Sequence, residues 1–198
     1  TIAKDFKIIK DAGLNSVRLF VQYEDFGKAD VNPNKIEKLI KTLDTAEEND
    51  LKVVLTLFDF YGDYSVMSWT LNQRHAETIV KAVKDHNALI AWDIKNEPNL
   101  DFESRGKETV IAWLENMIDL VKSVDAVHPV TIGWSNTQSA SILKDKVDIV
   151  SFHYYEDLSK LDAAIKTLKT EIPNKPIVLQ EFGLSSYSGF WKPFGSSK

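Results

Sequence analysis

Apolar, β-branched runs recur along the chain at residues 16–21, 52–58, 89–94, 130–133, 147–152 and 176–179, and predict six buried parallel strands. The stretches between them carry a different period. Ile36, Leu39, Ile40 and Leu43 keep i, i+3, i+4, i+7 spacing, as do Ala76, Ile79, Val80 and Val83, and then Leu161, Ala164, Ile165 and Leu168. Each set predicts a helix with one apolar stripe and a charged outer face. Asn32 before Pro33 predicts a capped helix start. A longer helix through Val110, Leu114, Met117, Ile118 and Val121 has to stop before Pro129, and a leading helix is predicted over 2–12.

Strict alternation of helix and strand implies parallel strands joined by right-handed crossovers, either in an open doubly wound sheet or in a closed barrel. Polar residues decide between the two. Arg18, Asp59, Asn96, Glu97, Trp134, His153, Tyr155 and Glu181 fall at or near six different strand ends, where a barrel collects its reactive groups. No glycine-rich turn of the dinucleotide-binding kind follows the first strand. The expected fold is therefore α/β, a (β/α)8 TIM barrel. A complete barrel has eight strands in about 250 residues. With six strands legible, the barrel is expected to be incomplete, lacking its first and last strands, in a single domain over residues 1–198.

The 198 residues are 43% hydrophobic and 27% charged, which fits one globular domain with a substantial core. A net charge of -5 gives no basic footprint, so neither nucleic acid nor an anionic membrane surface is an expected partner. No cysteine is present, which excludes disulfide and thiol chemistry. No signal peptide, lipid anchor or membrane-spanning stretch is read, and no membrane insertion is expected.

Glu97, in Asn96-Glu97-Pro98, and Glu181, in Gln180-Glu181-Phe182-Gly183, each follow a buried apolar run. Glutamate suits neither a strand interior nor full burial without a partner, so two of them at strand mouths point to a shared cavity. One proton-donating carboxyl facing one nucleophilic carboxylate is the equipment of a retaining glycosidase. Arg18 lies among Val17, Leu19 and Phe20, which directs it into the barrel unless it is a surface residue. His153 is open to three readings: a core histidine, a metal ligand with Glu156 and Asp157, or a ligand-binding side chain. No second histidine stands at ligand spacing, so no metal or other cofactor is expected.

Asn96-Glu97-Pro98 after one strand, His153-Tyr154-Tyr155 after a later one and Glu181-Phe182-Gly183 after the next, with Arg18 early, resemble glycoside hydrolase family 5 and its clan A relatives. The resemblance spans residues 15–183. It implies a (β/α)8 barrel that hydrolyses β-glycosidic bonds with retention. It makes Glu97 the acid/base and Glu181 the nucleophile, with Arg18 and Tyr155 supporting the nucleophile, Asn96 on the sugar 2-hydroxyl and His153 on sugar or the acid/base. Leu57-Phe58-Asp59-Phe60 lacks the histidine usual after the third strand and looks more like some β-mannanases than typical cellulases. The family's eighth-strand tryptophan has no counterpart, since Trp191 follows the last strand too closely.

Trp134, Trp191, Tyr61, Tyr64 and Trp69 are expected in strand-end loops, divided between stacking on pyranose rings and packing, whereas Trp92 and Trp113 are expected in the core. The leading expectation is a retaining hydrolase acting on a β-1,4-linked mannan or glucan. The alternative is a carbohydrate-binding protein on a degenerate hydrolase barrel, since fold does not guarantee activity. A β-linked polysaccharide or oligosaccharide is the expected partner. Because polysaccharides do not cross membranes intact, the expected location is secreted, periplasmic or cell-surface; oligomeric state is not readable.

Overall fold

Each predicted run forms a strand in the computed structural model, which describes residues 1–183. Trp191 lies outside the described residues. The strands are β1 (Ser16–Phe20), β2 (Lys52–Phe58), β3 (Leu89–Asn96), β4 (Val130–Trp134), β5 (Val150–Tyr154) and β6 (Ile177–Phe182). The helices are α1 (Ile2–Asp11), α2 (Pro33–Glu48), α3 (Trp69–Val83), the single turn α4 (Phe102–Arg105), α5 (Lys107–Val124) and α6 (Leu161–Glu171). All neighbouring strands are parallel, and their order in the sheet, β1-β2-β3-β4-β5-β6, is their order in the chain. A doubly wound sheet reverses its order at a switch point, whereas a barrel lays each strand beside the last. The sheet is therefore an incomplete (β/α)8 barrel.

Residues alternate across the pleat. Trp92, Ile94, Ile132 and Phe152 are buried with the helices' apolar stripes, while Asp93, Thr131, Ser151 and His153 are buried on the other face. That inner face is polar and internally bonded, with the Thr131 hydroxyl donating to the Ser151 Oγ at 2.7 Å. β4 and β5 are buried throughout, but β1 and β6 are mostly half-buried, because among the described residues each pairs on one side alone. Phe20 and Phe182, at the ends of those two edge strands, are 40% and 71% exposed.

Strand limits differ from the apolar runs where polar groups do the pairing. β5 starts at Val150 rather than 147, because Asp148 turns the chain: its carboxylate accepts the Val130 N–H at 2.9 Å and its own N–H donates to the Val130 carbonyl at 2.9 Å. β3 and β6 run past their apolar stretches, since Asn96 stays paired with Gly133 and Glu181 with His153. Glu181 consequently sits inside a strand instead of one step past it. The α2 start is as expected, with Pro33 in the first turn and Asn32 accepting the Asn34 N–H at 3.0 Å.

Behind β2, Tyr23, Phe58, Tyr61, Tyr64 and Trp113 form an aromatic layer, with Phe58 edge-on to Trp113 at 4.9 Å between centroids and Tyr61 stacked on it at 5.8 Å. Asn72 of α3 holds the layer together, accepting the Trp113 indole N–H and donating to the Tyr61 hydroxyl, both at 2.8 Å. His75 is fully buried there; its Nδ1 donates to the Lys28 carbonyl at 2.7 Å and its Nε2 has no hydrogen-bond partner.

Burial lowers the His75 pKa from 6.5 to about 4. The unfolded chain then binds the proton between those values and the folded chain does not, so stability rises with pH across that window. As pH falls from 6.5 to 4, His75 should cost up to about 3 kcal/mol. We expect urea unfolding at pH 7 and pH 4.5 to show this loss in the native sequence and a smaller one in His75→Gln. Equal losses would rule the assignment out.

Candidate active site

The carboxyl ends of β1, β3, β5 and β6 converge on Arg18. Its Nε and Nη2 donate to Asp93 Oδ2 at 2.9 and 2.5 Å, Nη2 also donates to Asn96 Oδ1 at 2.9 Å, and Nη1 donates to Glu181 Oε1. Its guanidinium lies over the Phe20 ring at 4.5 Å. A buried guanidinium is costly unless its donors are matched, and here two carboxylates and an amide oxygen match them. Arg18 engages the Asn96 oxygen and leaves its NH2 group outside this contact.

Glu181 also accepts the Tyr155 hydroxyl on Oε2 at 2.8 Å. Partial burial, and then the hydrogen bond and charge of Glu181, push the Tyr155 phenol up to about 12, so it remains a donor at any physiological pH. Glu97 stands opposite, with His153 Nδ1 at 2.8 Å from its Oε1. His153 is fully buried, and its Nε2 faces Arg18 Nη1 at 3.5 Å. A donor on that side assigns the ring proton to Nδ1, which donates to Glu97.

The backbone that presents Glu97 is strained. The residue is left-handed (φ 46°, ψ 46°), a conformation that costs a side-chain-bearing residue about 1–3 kcal/mol. It persists because its N–H donates to the Gly133 carbonyl at 2.7 Å, Pro98 fixes the next turn, and Lys95 clamps the approach. The buried Lys95 ammonium donates to the Asp59 and Asn96 carbonyls at 2.7 and 2.8 Å, and burial lowers its pKa to about 8.

One nitrogen of His153 and one oxygen each of Glu97 and Glu181 lie within 4.8 Å of one another. The trio offers a donor set for an ion, but Arg18 and Tyr155 already donate to Glu181, so an ion would compete with both. A depression of about 410 Å³ lined by Arg18, Phe20, Tyr155, Gln180, Glu181 and Phe182 opens beside the Glu181 carboxylate.

The chain matches the family model described as Cellulase (glycosyl hydrolase family 5) over residues 1–195. It belongs to glycosyl hydrolase family 5. Mannan endo-1,4-beta-mannosidase A of Emericella nidulans is 23% identical over 230 residues, covering 91% of this chain and 59% of the relative. Beta-glucuronidase of Chlorocebus aethiops is 28% identical over 148 residues, covering 70% of this chain and 22% of the relative. The chain thus spans well under two thirds of either. Among solved structures, an exo-beta-1,4-mannosidase from Opitutaceae bacterium strain TAV5 superposes with a TM-score of 0.77 at 20% identity, covering 92% of this chain and 41% of that one. That likeness agrees with the barrel order of the strands.

In this family 5 chain, six of the sequence-selected residues meet in one network: Arg18, Asn96, Glu97, His153, Tyr155 and Glu181. Asp59 lies behind it, 6% exposed, with Gln22 Nε2 donating to its carboxylate at 3.4 Å and burial raising its pKa. Trp134 is not a loop residue. It ends β4, is 1% exposed and packs on Phe102, so its ring is not presented to a ligand. Tyr64 is buried in the aromatic layer and donates to Asp101, Tyr61 is half-buried on Trp113, and Trp69 opens α3 with its indole N–H on the Tyr64 carbonyl at 3.1 Å. Trp92 and Trp113 are fully buried, as expected.

Asp93 and Gly133 were not singled out from the sequence. Asp93 is fully buried and collects Arg18, the Thr56 hydroxyl at 2.8 Å and the Gly133 N–H at 2.9 Å. Its signal was a charge between Trp92 and Ile94, the same pattern that marked Arg18. Gly133 is small because the network crosses it: an added Cβ would lie 2.7 Å from Arg18 Nη2, 2.9 Å from Gln180 Oε1 and 3.2 Å from His153 Nε2. Gly133→Ala is therefore expected to displace the guanidinium from Glu181 and to cost about 1–3 kcal/mol of stability. Denaturant unfolding and a crystal structure of the variant check this; an unmoved Arg18 contradicts it.

Proposed function

We propose that this chain carries the catalytic centre of a retaining β-glycan hydrolase in which Glu97 is the acid/base and Glu181 the nucleophile. The observation that carries the reading is the spacing of the two carboxylates across His153, with oxygens within 4.8 Å. Retaining enzymes hold their carboxyl groups about 5–5.5 Å apart, while inverting ones leave about 6.5–9.5 Å for a water. The surroundings support the division of roles. Glu181 has a guanidinium and a phenol donating to it, the environment of an anion that must attack without a proton. Among the described residues no lysine or arginine hydrogen-bonds to Glu97, which meets His153 Nδ1 on the opposite side of the cleft.

In the first step a Glu181 oxygen bonds to the anomeric carbon while the glycosidic C–O bond breaks and the Glu97 proton passes to the departing oxygen. In the second, Glu97 takes a proton from water, whose oxygen bonds to the anomeric carbon as the Glu181 ester breaks. Asn96, whose oxygen is engaged by Arg18, is assigned through its amide nitrogen to the sugar 2-hydroxyl, where contacts tighten in the transition state. The names of relatives favour a β-1,4-linked mannan, with glucan and glucuronide as further candidates. A polymeric substrate fits an enzyme that is secreted, periplasmic or held at the cell surface. Sugar binding without turnover by the natural gene product would instead favour a carbohydrate-binding role.

Glu97→Ala should slow hydrolysis of natural substrates by roughly 10²- to 10⁴-fold. Aryl glycosides with good leaving groups should be spared in their first step, and azide should restore turnover as the β-glycosyl azide. Glu181→Ala should abolish retaining turnover of both substrates, with azide giving only the α-glycosyl product. Identical behaviour of the two variants, or reversed azide stereochemistry, would show the roles to be wrongly assigned.

A further inference from the structure

We propose that Asp93 is a positioning residue that divides the Arg18 charge and so keeps Glu181 nucleophilic. The inference rests on the reading of Glu181 given above. Asp93 is fully buried, touches no open space and reaches the cleft through the guanidinium alone, which it meets through Nε and Nη2 while Glu181 holds Nη1. One positive charge is thus shared by two carboxylates. A carboxylate that owned the whole charge would be a weaker nucleophile towards the anomeric carbon and a better leaving group from it.

The other contacts of Asp93 fit this role. Its Oδ1 takes the Gly133 N–H and its Oδ2 the Thr56 hydroxyl, so its position is fixed from β2 and β4 independently of Arg18. The charged or titratable groups on neighbouring elements are Glu97, His153, Tyr155 and Glu181 around the cleft, with Lys95 and Asp59 at the ends of β3 and β2. The Lys95 ammonium is taken up by two backbone carbonyls. Among the described residues Arg18 is the one cation that hydrogen-bonds to either carboxylate.

The two chemical steps separate this role from a merely structural one. With a dinitrophenyl β-mannobioside or cellobioside, attack by Glu181 breaks the aryl C–O bond and releases the phenolate as a burst, without proton donation. Hydrolysis of the glycosyl ester then sets the steady state. In Asp93→Asn, carried in the natural gene product, the burst rate should fall roughly tenfold, about 1.4 kcal/mol. The steady-state rate should hold or rise. Thr56 is the register partner of Asp93 on β2, so the double exchange Asp93→Thr with Thr56→Asp returns a carboxylate beside Arg18 and should restore the burst.

Both steps slowing together, or neither changing, would overturn the proposal. So would loss of cooperative unfolding in both variants, which would make Asp93 a residue of stability alone. No burst in the unsubstituted protein would strike the proposed function itself, and a burst there with unaltered step balance in the variants would strike only this inference.

Discussion

The site depends on one constraint: a guanidinium buried at the mouth of a parallel sheet has to find acceptors for all of its donors. Arg18 is 9% exposed in its side chain and cannot turn to water. Removing either partner would leave a buried charge uncompensated, which costs several kcal/mol, so the acceptors around it are fixed as a set. Asp93, Asn96 and Glu181 come from two strands, and Gly133 is without a side chain so that they can reach Arg18. The strain at Glu97 belongs to the same arrangement, because its N–H is tied to the carbonyl of that glycine.

Most of the architecture was legible in the residues. The continuous apolar runs and the period-3.6 stripes located every described strand and the long helices, because burial on two faces leaves an unbroken run and burial on one stripe a repeat. The ends were less legible. The apolar runs at Leu89 and Ile177 gave no sign that pairing would continue through Asn96 and Glu181, since main-chain ladders are blind to side-chain polarity. Asp148 was hidden for the opposite reason: a polar residue beside a valine run looked like strand, and its carboxylate in fact accepts the N–H of Val130 at the start of β4.

The candidate site divides in the same way. Residues that face the cleft follow short motifs and could be selected in advance. Asp93 and Lys95 act from inside the sheet, where one charge among apolar neighbours is the whole signal, and Gly133 carries no signal without knowledge of what crosses it. The loop aromatics were left open between ligand contact and packing because a tyrosine or tryptophan near a strand end has two ways to bury its ring. Here Asn72 and Asp101 supply hydrogen-bond partners beneath the surface, and the rings of Tyr61 and Tyr64 turn inward to them.

Arg18 and Glu181 stand on β1 and β6, the two outermost described strands, and their contact spans 163 positions of sequence. No shorter segment contains both. The helices and the inner strands can form on local contacts, but this ion pair has to wait until a segment of 163 positions has closed. During synthesis the emerging polypeptide therefore holds Arg18 with Asp93 and Asn96 but without Glu181, one of its three acceptors, until β6 has been made. The charge balance of β1 is completed in the same event that brings Glu181 to the cleft.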